Sequence, residues 1–213
     1  MVPVKICGIT NINDALICQK FGVSALGFIF APSPRQVTVE QVMRITNQLS
    51  PLILKVGVFV DEDPLRIRAI MKACRLDLAQ LHGDETPQDC QVLAGRVIKA
   101  FRAGRDRPSL EWQGAALRGI LVDSYTANAH GGTGRVFDWK LVANYRKLGF
   151  PLILAGGLNP DNIGAALNRV RPDGIDLSSG VEKSPGVKDP DKIARLMATI
   201  KNFADQVNST NLI

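Results

Sequence analysis

Short apolar runs alternate along the chain with stretches in which apolar residues recur every three or four positions. The runs are rich in Val, Ile, Leu and Phe, which favours β-strands, and the periodic stretches are typical of amphipathic helices. Eight strands are predicted, at residues 2–7, 25–30, 52–60, 76–82, 96–102, 119–124, 151–155 and 174–177. Eight helical segments are predicted, at residues 13–21, 39–49, 64–74, 87–93, 106–117, 138–148, 162–170 and 189–203. The segment 106–117 is the weakest, because Pro108 and Gly114 lie inside it.

This alternation predicts a parallel sheet covered by helices, because each strand–helix unit returns the chain to the same end of the sheet. Eight units in 213 residues match the lower end of the size range of (β/α)8 barrels, about 200 residues. The alternative is a doubly wound open sheet, which would usually have fewer strands. We therefore predict an α/β fold with a single (β/α)8 TIM barrel. One catalytic barrel domain is predicted over residues 1–207, followed by a polar C-terminal tail at residues 208–213.

The composition is typical of a soluble globular protein, with 46% hydrophobic and 22% charged residues. The apolar stretches are shorter than the roughly 20 residues that a membrane-spanning helix needs. The first residues also lack the pattern of a secretory signal. We therefore expect a cytoplasmic location and no membrane partner.

The charge balance is mildly basic, with 26 Lys and Arg against 20 Asp and Glu, a net charge of +6. This balance favours anionic ligands. Nucleic-acid binding usually needs clustered basic residues, but only Arg102, Arg105 and Arg107 are grouped here. We expect a phosphate-bearing small molecule and no nucleic acid as partner. The oligomeric state stays open between monomer and homodimer.

The chain has four cysteines and two histidines, and none of the cysteines form a C-x-x-C pair. This distribution predicts no metal site. Cys18, Cys74 and Cys90 lie on predicted helices, where a buried, unreactive thiol is the usual state. Cys7 differs, because it ends the first predicted strand.

The ends of the predicted strands carry the candidate catalytic groups, since barrel enzymes bind substrate at the carboxyl ends of their strands. Cys7 ends the first strand, His82 the fourth and Asp123 the sixth. Side chains alternate along a strand, so Lys5 and Cys7 face the barrel axis, and so does Asp123. Burying a polar group inside a barrel costs free energy, so such a group is expected to be hydrogen-bonded or to take part in binding or catalysis.

The loops after the seventh and eighth strands predict a phosphate site. Barrels frequently bind phosphate between these two loops, through main-chain N–H groups. A pair of glycines alone is more typical of a simple turn, so the prediction depends on both loops having suitable sequences. The candidate phosphate-binding residues are Gly156, Gly157, Ser178, Ser179 and Gly180.

Six motifs, in this order, resemble those of phosphoribosylanthranilate isomerases and cover nearly the whole chain. They are Lys5-Ile6-Cys7-Gly8-Ile9-Thr10, Gln80-Leu81-His82-Gly83, Gly131-Gly132-Thr133-Gly134, Phe137-Asp138-Trp139, Ala155-Gly156-Gly157-Leu158-Asn159-Pro160 and Asp176-Leu177-Ser178-Ser179-Gly180-Val181-Glu182. The resemblance implies an Amadori rearrangement in tryptophan biosynthesis. Phosphoribosyl anthranilate would become 1-(2-carboxyphenylamino)-1-deoxyribulose 5-phosphate, with no metal and no other cofactor.

The resemblance further implies that Cys7 is the general base, that Asp123 is the general acid and that Arg35 pairs with the anthranilate carboxylate. His82 is expected to orient substrate or to hydrogen-bond Asp123, and Asp176 to contact sugar hydroxyls or loop amides. A free thiol has a pKa of about 8.5 and a free carboxyl one of about 3.9, so at neutral pH the thiol is protonated and the carboxyl is ionised. The roles of base and acid need the opposite protonation states.

Burial of Asp123 would raise the pKa of its carboxyl, and the two groups can share one proton. Lys5 is expected either to stabilise the Cys7 thiolate or to bind another carboxylate. A flexible loop at residues 131–134 is expected to close over the substrate.

Three other functions stay open at this point. The first is another phosphosugar-processing barrel enzyme. The second is a barrel that binds a phosphate ligand without catalysis, and the third is a basic nucleic-acid module.

Overall fold

Eight parallel strands close into a barrel in the computed structural model. The structure describes residues 1–107, 109–123 and 139–210, without the side chains of 139, 140 and 206–210. The barrel strands are β1 (Val4–Cys7), β2 (Ala25–Ile29), β3 (Leu54–Phe59), β4 (Leu78–Leu81), β5 (Val97–Arg102), β6 (Gly119–Asp123), β7 (Leu152–Ala155) and β8 (Gly174–Leu177). Each strand pairs with its neighbours in sequence, and β8 pairs with β1 to close the barrel. The predicted fold class is confirmed, and the open-sheet alternative is wrong.

Helices follow most of the strands and cover the outside of the barrel. They are α1 (Ile12–Lys20), α2 (Val39–Thr46), α3 (Pro64–Ala73), α4 (Pro87–Gln91), α5 (Ala143–Arg146), α6 (Ile163–Val170) and α7 (Pro190–Thr210). The predicted helix at 106–117 is wrong, since a 3-10 turn at Leu110–Trp112 is the only helical element among the residues described in this segment. Gly114 has a φ of 84°, which a right-handed helix does not allow. Helix α7 includes residues 208–210, which we predicted to begin the tail, and residues 211–213 lie outside the described residues.

Local hydrogen bonds explain where several helices begin. The Thr38 hydroxyl accepts a hydrogen bond from the Gln41 amide at 3.2 Å, and the Gln41 side chain accepts one from the Thr38 amide at 2.7 Å. This capping box satisfies two amides that the first turn of α2 leaves without helical partners. In α3, Asp63 caps the first turn and Pro64 stands where no amide donor is needed.

Two apolar layers form the core, one outside the barrel strands and one inside them. The outer layer packs strands against helices and includes Val4, Ile6 and Val122. The inner layer is smaller and consists of Ala25, Val56, Ile98, Ala100, Leu121 and Ala155. Leu121 therefore faces the barrel axis and Val4 faces the helices, as the alternation predicted. The inner layer leaves space inside the barrel for the polar side chains described below.

The loop after β8 contains a small hairpin that we did not predict. A 3-10 turn at Ser179–Val181 leads into β9 (Glu182–Ser184), which pairs antiparallel with β10 (Val187–Lys188). Pro185 and Gly186 form the connection, and Gly186 has a φ of 80°, as the third position of a type II turn requires. The hairpin lies at the end of the barrel where strands β1 and β8 finish.

No helix in the described part of the chain combines the length and the apolar character needed to cross a bilayer.

Candidate active site

Polar and charged side chains meet at the carboxyl ends of the barrel strands. Cys7 is the last residue of β1, Asp123 is the last residue of β6, and His82 directly follows β4. The three groups are linked electrostatically through Asp176 on β8. The pKa of Cys7 responds to the charge of Asp176, and the pKa of Asp176 responds to the charges of Asp123 and His82. The structure therefore places the predicted acid and base at the same end of the barrel.

The Cys7 thiol lies in a tight site beside Lys5. A Cβ atom at Gly27, the Cα partner of Cys7 on β2, would lie 2.8 Å from Cys7 Sγ and 3.0 Å from Lys5 Nζ. Only glycine leaves room there for both groups. Burial raises the pKa of the Cys7 thiol, while the ammonium groups of Lys5 and Lys188 oppose this rise. The thiol is therefore protonated in the free protein at neutral pH.

Lys5 and Asp176 form a buried ion pair across strands β1 and β8. Their Cα atoms are register partners, and Lys5 Nζ lies 2.9 Å from Asp176 Oδ1. Burial lowers the pKa of Lys5, but the Asp176 carboxylate and the neighbouring Cys7 raise it above its ordinary value. Lys5 thus binds a carboxylate, the second of the two roles expected from the sequence. Stabilisation of a Cys7 thiolate by Lys5 stays a prediction. Contact between Asp176 and sugar hydroxyls stays a prediction.

His82 lies between Gln80 and Asp123. Its Nδ1 is 3.1 Å from the Gln80 amide nitrogen, and its Nε2 is 3.7 Å from Asp123 Oδ2. With the Gln80 amide donating to Nδ1, the imidazole proton is on Nε2 and faces Asp123. Burial lowers the pKa of His82, so the ring is neutral at pH 7. The distance of 3.7 Å is longer than a hydrogen bond, and a small movement would form one.

A buried ion pair that we did not predict holds the segment after His82. Lys99 Nζ lies 2.7 Å from Glu85 Oε2 and donates to the Gly83 carbonyl, also at 2.7 Å. Glu85 in turn accepts a hydrogen bond from the Gly83 amide at 3.0 Å. The only signal in the sequence was a lysine in the middle of an apolar strand, and it does not identify the partner.

The two predicted phosphate loops lie directly against each other. A Cβ atom at Gly180 would clash with the carbonyl oxygen of Leu158 and would lie 3.0 Å from Asn159 Cβ. Gly156 and Gly157 both have positive φ angles, 88° and 61°. These glycines allow the loops after β7 and β8 to approach as backbone rather than through side chains.

Hydrogen bonds stabilise the loop after β7, and one hydroxyl in the loop after β8 lacks a partner. Asn159 Oδ1 accepts from the Asn162 amide at 3.1 Å, and Asn162 Oδ1 accepts from the Asn159 amide at 2.9 Å. The Ser178 hydroxyl is buried and has no hydrogen-bond partner among the described residues. A buried polar group of this kind is costly unless a ligand satisfies it.

Arg35 lies in the loop after β2 and forms a forked ion pair with Glu182. Arg35 Nε is 2.9 Å from Glu182 Oε1, and Arg35 Nη2 is 2.6 Å from Glu182 Oε2. Among the described residues, Glu182 is the hydrogen-bond partner of Nε and Nη2, and Nη1 has none. Sequence reasoning predicted Arg35 but gave no role to Glu182. The predicted closing loop at residues 131–134 lies outside the described residues.

Comparisons with known proteins agree with this architecture. Residues 4–199 match the family model described as N-(5'phosphoribosyl)anthranilate (PRA) isomerase. An N-(5'-phosphoribosyl)anthranilate isomerase of Trichlorobacter lovleyi is 44% identical over 203 residues, which cover 94% of this chain and 98% of the relative.

Two similar solved structures carry related descriptions. A phosphoribosyl anthranilate isomerase of Thermotoga maritima has a TM-score of 0.86 and 42% identity, covering 95% of this chain and 100% of its own. A phosphoribosyl anthranilate isomerase in complex with reduced 1-(o-carboxyphenylamino)-1-deoxyribulose 5-phosphate has a TM-score of 0.82 and 40% identity, with the same coverage.

Proposed function

The chain belongs to the N-(5'-phosphoribosyl)anthranilate isomerase family, and we propose that Cys7 is its general base and Asp123 its general acid. It converts N-(5-phosphoribosyl)anthranilate into 1-(2-carboxyphenylamino)-1-deoxyribulose 5-phosphate, a step of tryptophan biosynthesis. The observation that carries the assignment is the position of the two groups. They end strands β1 and β6 at the same end of the barrel. Asp176 interacts with both, since its charge raises the pKa of Cys7 and the charge of Asp123 raises the pKa of Asp176.

The reaction needs one proton donated and one proton removed. Asp123 gives a proton to the ring oxygen of the furanose, the carbon–oxygen bond at the first sugar carbon breaks, and the nitrogen lone pair forms an iminium. The iminium acidifies the proton on the second carbon, and the Cys7 thiolate removes that proton. The electron pair left on the second carbon neutralises the iminium, and the resulting enolamine tautomerises to the ketone.

The resting protonation states differ from the reactive ones, because Cys7 is a thiol in the free protein. We propose that the two groups share one proton and that the reactive state has a Cys7 thiolate and a protonated Asp123. Lys5 and Lys188 favour that state, since their charges oppose the rise that burial causes in the pKa of Cys7. His82 supports Asp123 after the proton has left, because its Nε2 proton faces the new carboxylate.

The activity is tested by generating phosphoribosyl anthranilate in situ, adding the protein and following the loss of substrate fluorescence. We expect a rapid decrease that depends on protein concentration. A barrel that only binds phosphate ligands would raise its melting temperature with substrate and leave the fluorescence unchanged. An enzyme for a different phosphosugar would show no turnover of this substrate.

The phosphate group of the substrate is proposed to lie between the loops after β7 and β8. Gly156, Gly157, Ser179 and Gly180 would offer main-chain amides, and the buried Ser178 hydroxyl would gain the partner that it lacks. The support for this proposal is the close approach of the two loops at Gly180.

Gly180→Ala is expected to raise KM about tenfold or more and to destabilise the fold by about 1–3 kcal/mol, because the new methyl group separates the two loops. Steady-state kinetics and thermal unfolding measure the two effects. Gly164→Ala is the control, since a Cβ there meets only Thr199 at 3.9 Å on the neighbouring helix. Unchanged kinetics for Gly180→Ala would remove the support for a phosphate site here.

Arg35→Met is expected to raise KM about tenfold to a hundredfold while lowering kcat much less, because the guanidinium is proposed to bind the anthranilate carboxylate in the ground state and the transition state alike. Initial rates over a range of substrate concentrations separate the two constants. Arg68→Met, at an exposed position of α3, is the matched control. A large fall in kcat with unchanged KM would assign Arg35 to the chemistry instead.

The location and the partners stay proposals as well. We propose a cytoplasmic enzyme, because its phosphorylated substrate is charged and does not cross membranes readily. The four cysteines are all free and buried, which fits a reducing compartment. We also propose that the chain acts without nucleic acid, as a monomer or a homodimer.

A further inference from the structure

The hairpin after β8 places two charged side chains in the protein interior. Glu182 and Lys188 are register partners on β9 and β10, and they are only 6% and 2% exposed. Glutamate and lysine are almost never this deeply buried unless they are paired. Their Oε1 and Nζ atoms are 2.7 Å apart. Lys188 affects the acid–base chemistry proposed above only through its charge near Cys7, and Glu182 has no part in it. The burial of the pair therefore needs a further explanation.

Glu182 binds Arg35 with the fork-to-fork geometry that fixes a guanidinium plane most firmly. Both carboxylate oxygens accept from Arg35 Nε, at 2.9 and 3.1 Å, and Oε2 also accepts from Nη2. Burial raises the pKa of Glu182, but the hydrogen bonds from Arg35 and Lys188 lower it below its ordinary value. Glu182 is therefore ionised and fully occupied by cations, and it cannot itself accept the substrate carboxylate.

This ion pair holds the Arg35 side chain over the end of β1. A Cβ atom at Gly8 would lie 2.5 Å from Arg35 Cδ and 3.2 Å from the Ser178 hydroxyl. Gly8 follows Cys7 directly, so the aliphatic part of Arg35 lies on the main chain next to the proposed base. It also lies beside the loop proposed to bind phosphate.

Lys188 connects Glu182 to the carboxyl end of β1. Its ammonium donates to the main-chain carbonyl of Cys7 at 2.6 Å and to Glu182 Oε1 at 2.7 Å. Its own main-chain amide donates to Asp14 on α1 at 2.8 Å, which fixes the hairpin against the first helix. One buried cation thus connects the residue that carries the base with the carboxylate that orients Arg35.

We propose that Glu182 is a positioning residue, which acts through Arg35 and, with Lys188, sets the distance between the substrate-binding guanidinium and the Cys7 thiol. Arg35 bound to substrate would then place the reacting sugar carbon above the thiol, because Glu182 has already fixed the guanidinium plane. Preorganisation of this kind makes binding stronger, since less side-chain freedom is lost when substrate binds. The inference rests on the roles proposed for Arg35 and Cys7.

A double-mutant cycle with Glu182→Gln and Arg35→Met tests the inference. Glu182→Gln alone is expected to raise KM about tenfold and to change kcat less than about threefold, because the guanidinium loses its orientation but not its charge. In the Arg35→Met background the same substitution is expected to change KM less than about twofold, because the group through which Glu182 acts is absent. Glu111→Gln, at an exposed position, is the matched control.

The outcomes separate this inference from the proposed function. An equal factor for Glu182→Gln in both backgrounds would show that Glu182 acts independently of Arg35 and would overturn the inference. Absence of turnover in the unaltered protein would instead overturn the proposed function. If Glu182→Gln does not fold, judged by thermal unfolding, the cycle is run with Glu182→Asp. This variant keeps the buried charge, shifts the contact with Arg35 by one methylene, and is subject to the same criterion.

Discussion

Cys7→Ala is expected to lower kcat by about a thousandfold to ten-thousandfold, because it removes the group proposed to take the proton from the second sugar carbon. The barrel is expected to remain folded. The thiol is a single buried sulfur atom, and its loss leaves a cavity smaller than those of large-to-small core substitutions, which cost about 2–5 kcal/mol. The fluorescence assay measures turnover, and thermal unfolding measures stability.

Cys18→Ala provides a matched control for this substitution. Cys18 is buried as well, but it lies on α1 in the apolar layer outside the barrel. The Cys18→Ala variant is expected to lose about as much stability as Cys7→Ala and to keep the turnover of the unaltered protein. Near-normal turnover in Cys7→Ala would assign the base to another group, and comparable losses in both variants would indicate a general effect of destabilisation.

The positions of Cys7 and Asp123 could be predicted because they follow from local rules. A short apolar run identifies a strand, and the period of two along that strand decides which side chains face the barrel axis. Leu121 and Asp123 show this relation in β6, since Leu121 is in the inner apolar layer and Asp123 stands two residues further on, at the strand end. The same alternation along β1 predicts that Lys5 and Cys7 face the barrel axis.

The support around the site could not be predicted, because it depends on contacts between distant segments. Arg35 and Glu182 are 147 residues apart in sequence, and a loop arginine has many possible partners. Strands β9 and β10 have only three and two residues, too few to show a period. Lys188 resembles a surface lysine in the sequence, yet its side chain is 0% exposed.

The wrong helix at 106–117 has a related cause. Trp112 in this segment is buried and packs edge-on against Phe101 of β5, with ring centroids 5.4 Å apart. Apolar residues that cover the barrel were therefore present, and they produced a helix-like pattern. The backbone instead forms a 3-10 turn at Leu110–Trp112, and Gly114 adopts a positive φ that a right-handed helix does not allow.

Asp123→Asn is expected to lower kcat by about a hundredfold to ten-thousandfold, because the amide keeps the size of the side chain but cannot protonate the ring oxygen. The side chain is 22% exposed and stands at the rim of the barrel, so the fold is expected to be unaffected. Asp191→Asn, at an exposed position in the first turn of α7, is the matched control. Turnover and thermal unfolding are measured as for Cys7.

The same variant distinguishes Asp123 from His82, the other titratable group at this position. Burial lowers the pKa of His82, so its ring is neutral at pH 7 and a poor proton donor. If Asp123 is the acid, His82→Asn leaves the donor in place and lowers kcat far less than Asp123→Asn does. The opposite order would give the proton transfer to His82.

Because acid and base act on one substrate as a unit, we further expect the Cys7→Ala, Asp123→Asn double variant to be little slower than the slower single variant. Multiplied effects would mean that the two groups serve independent steps.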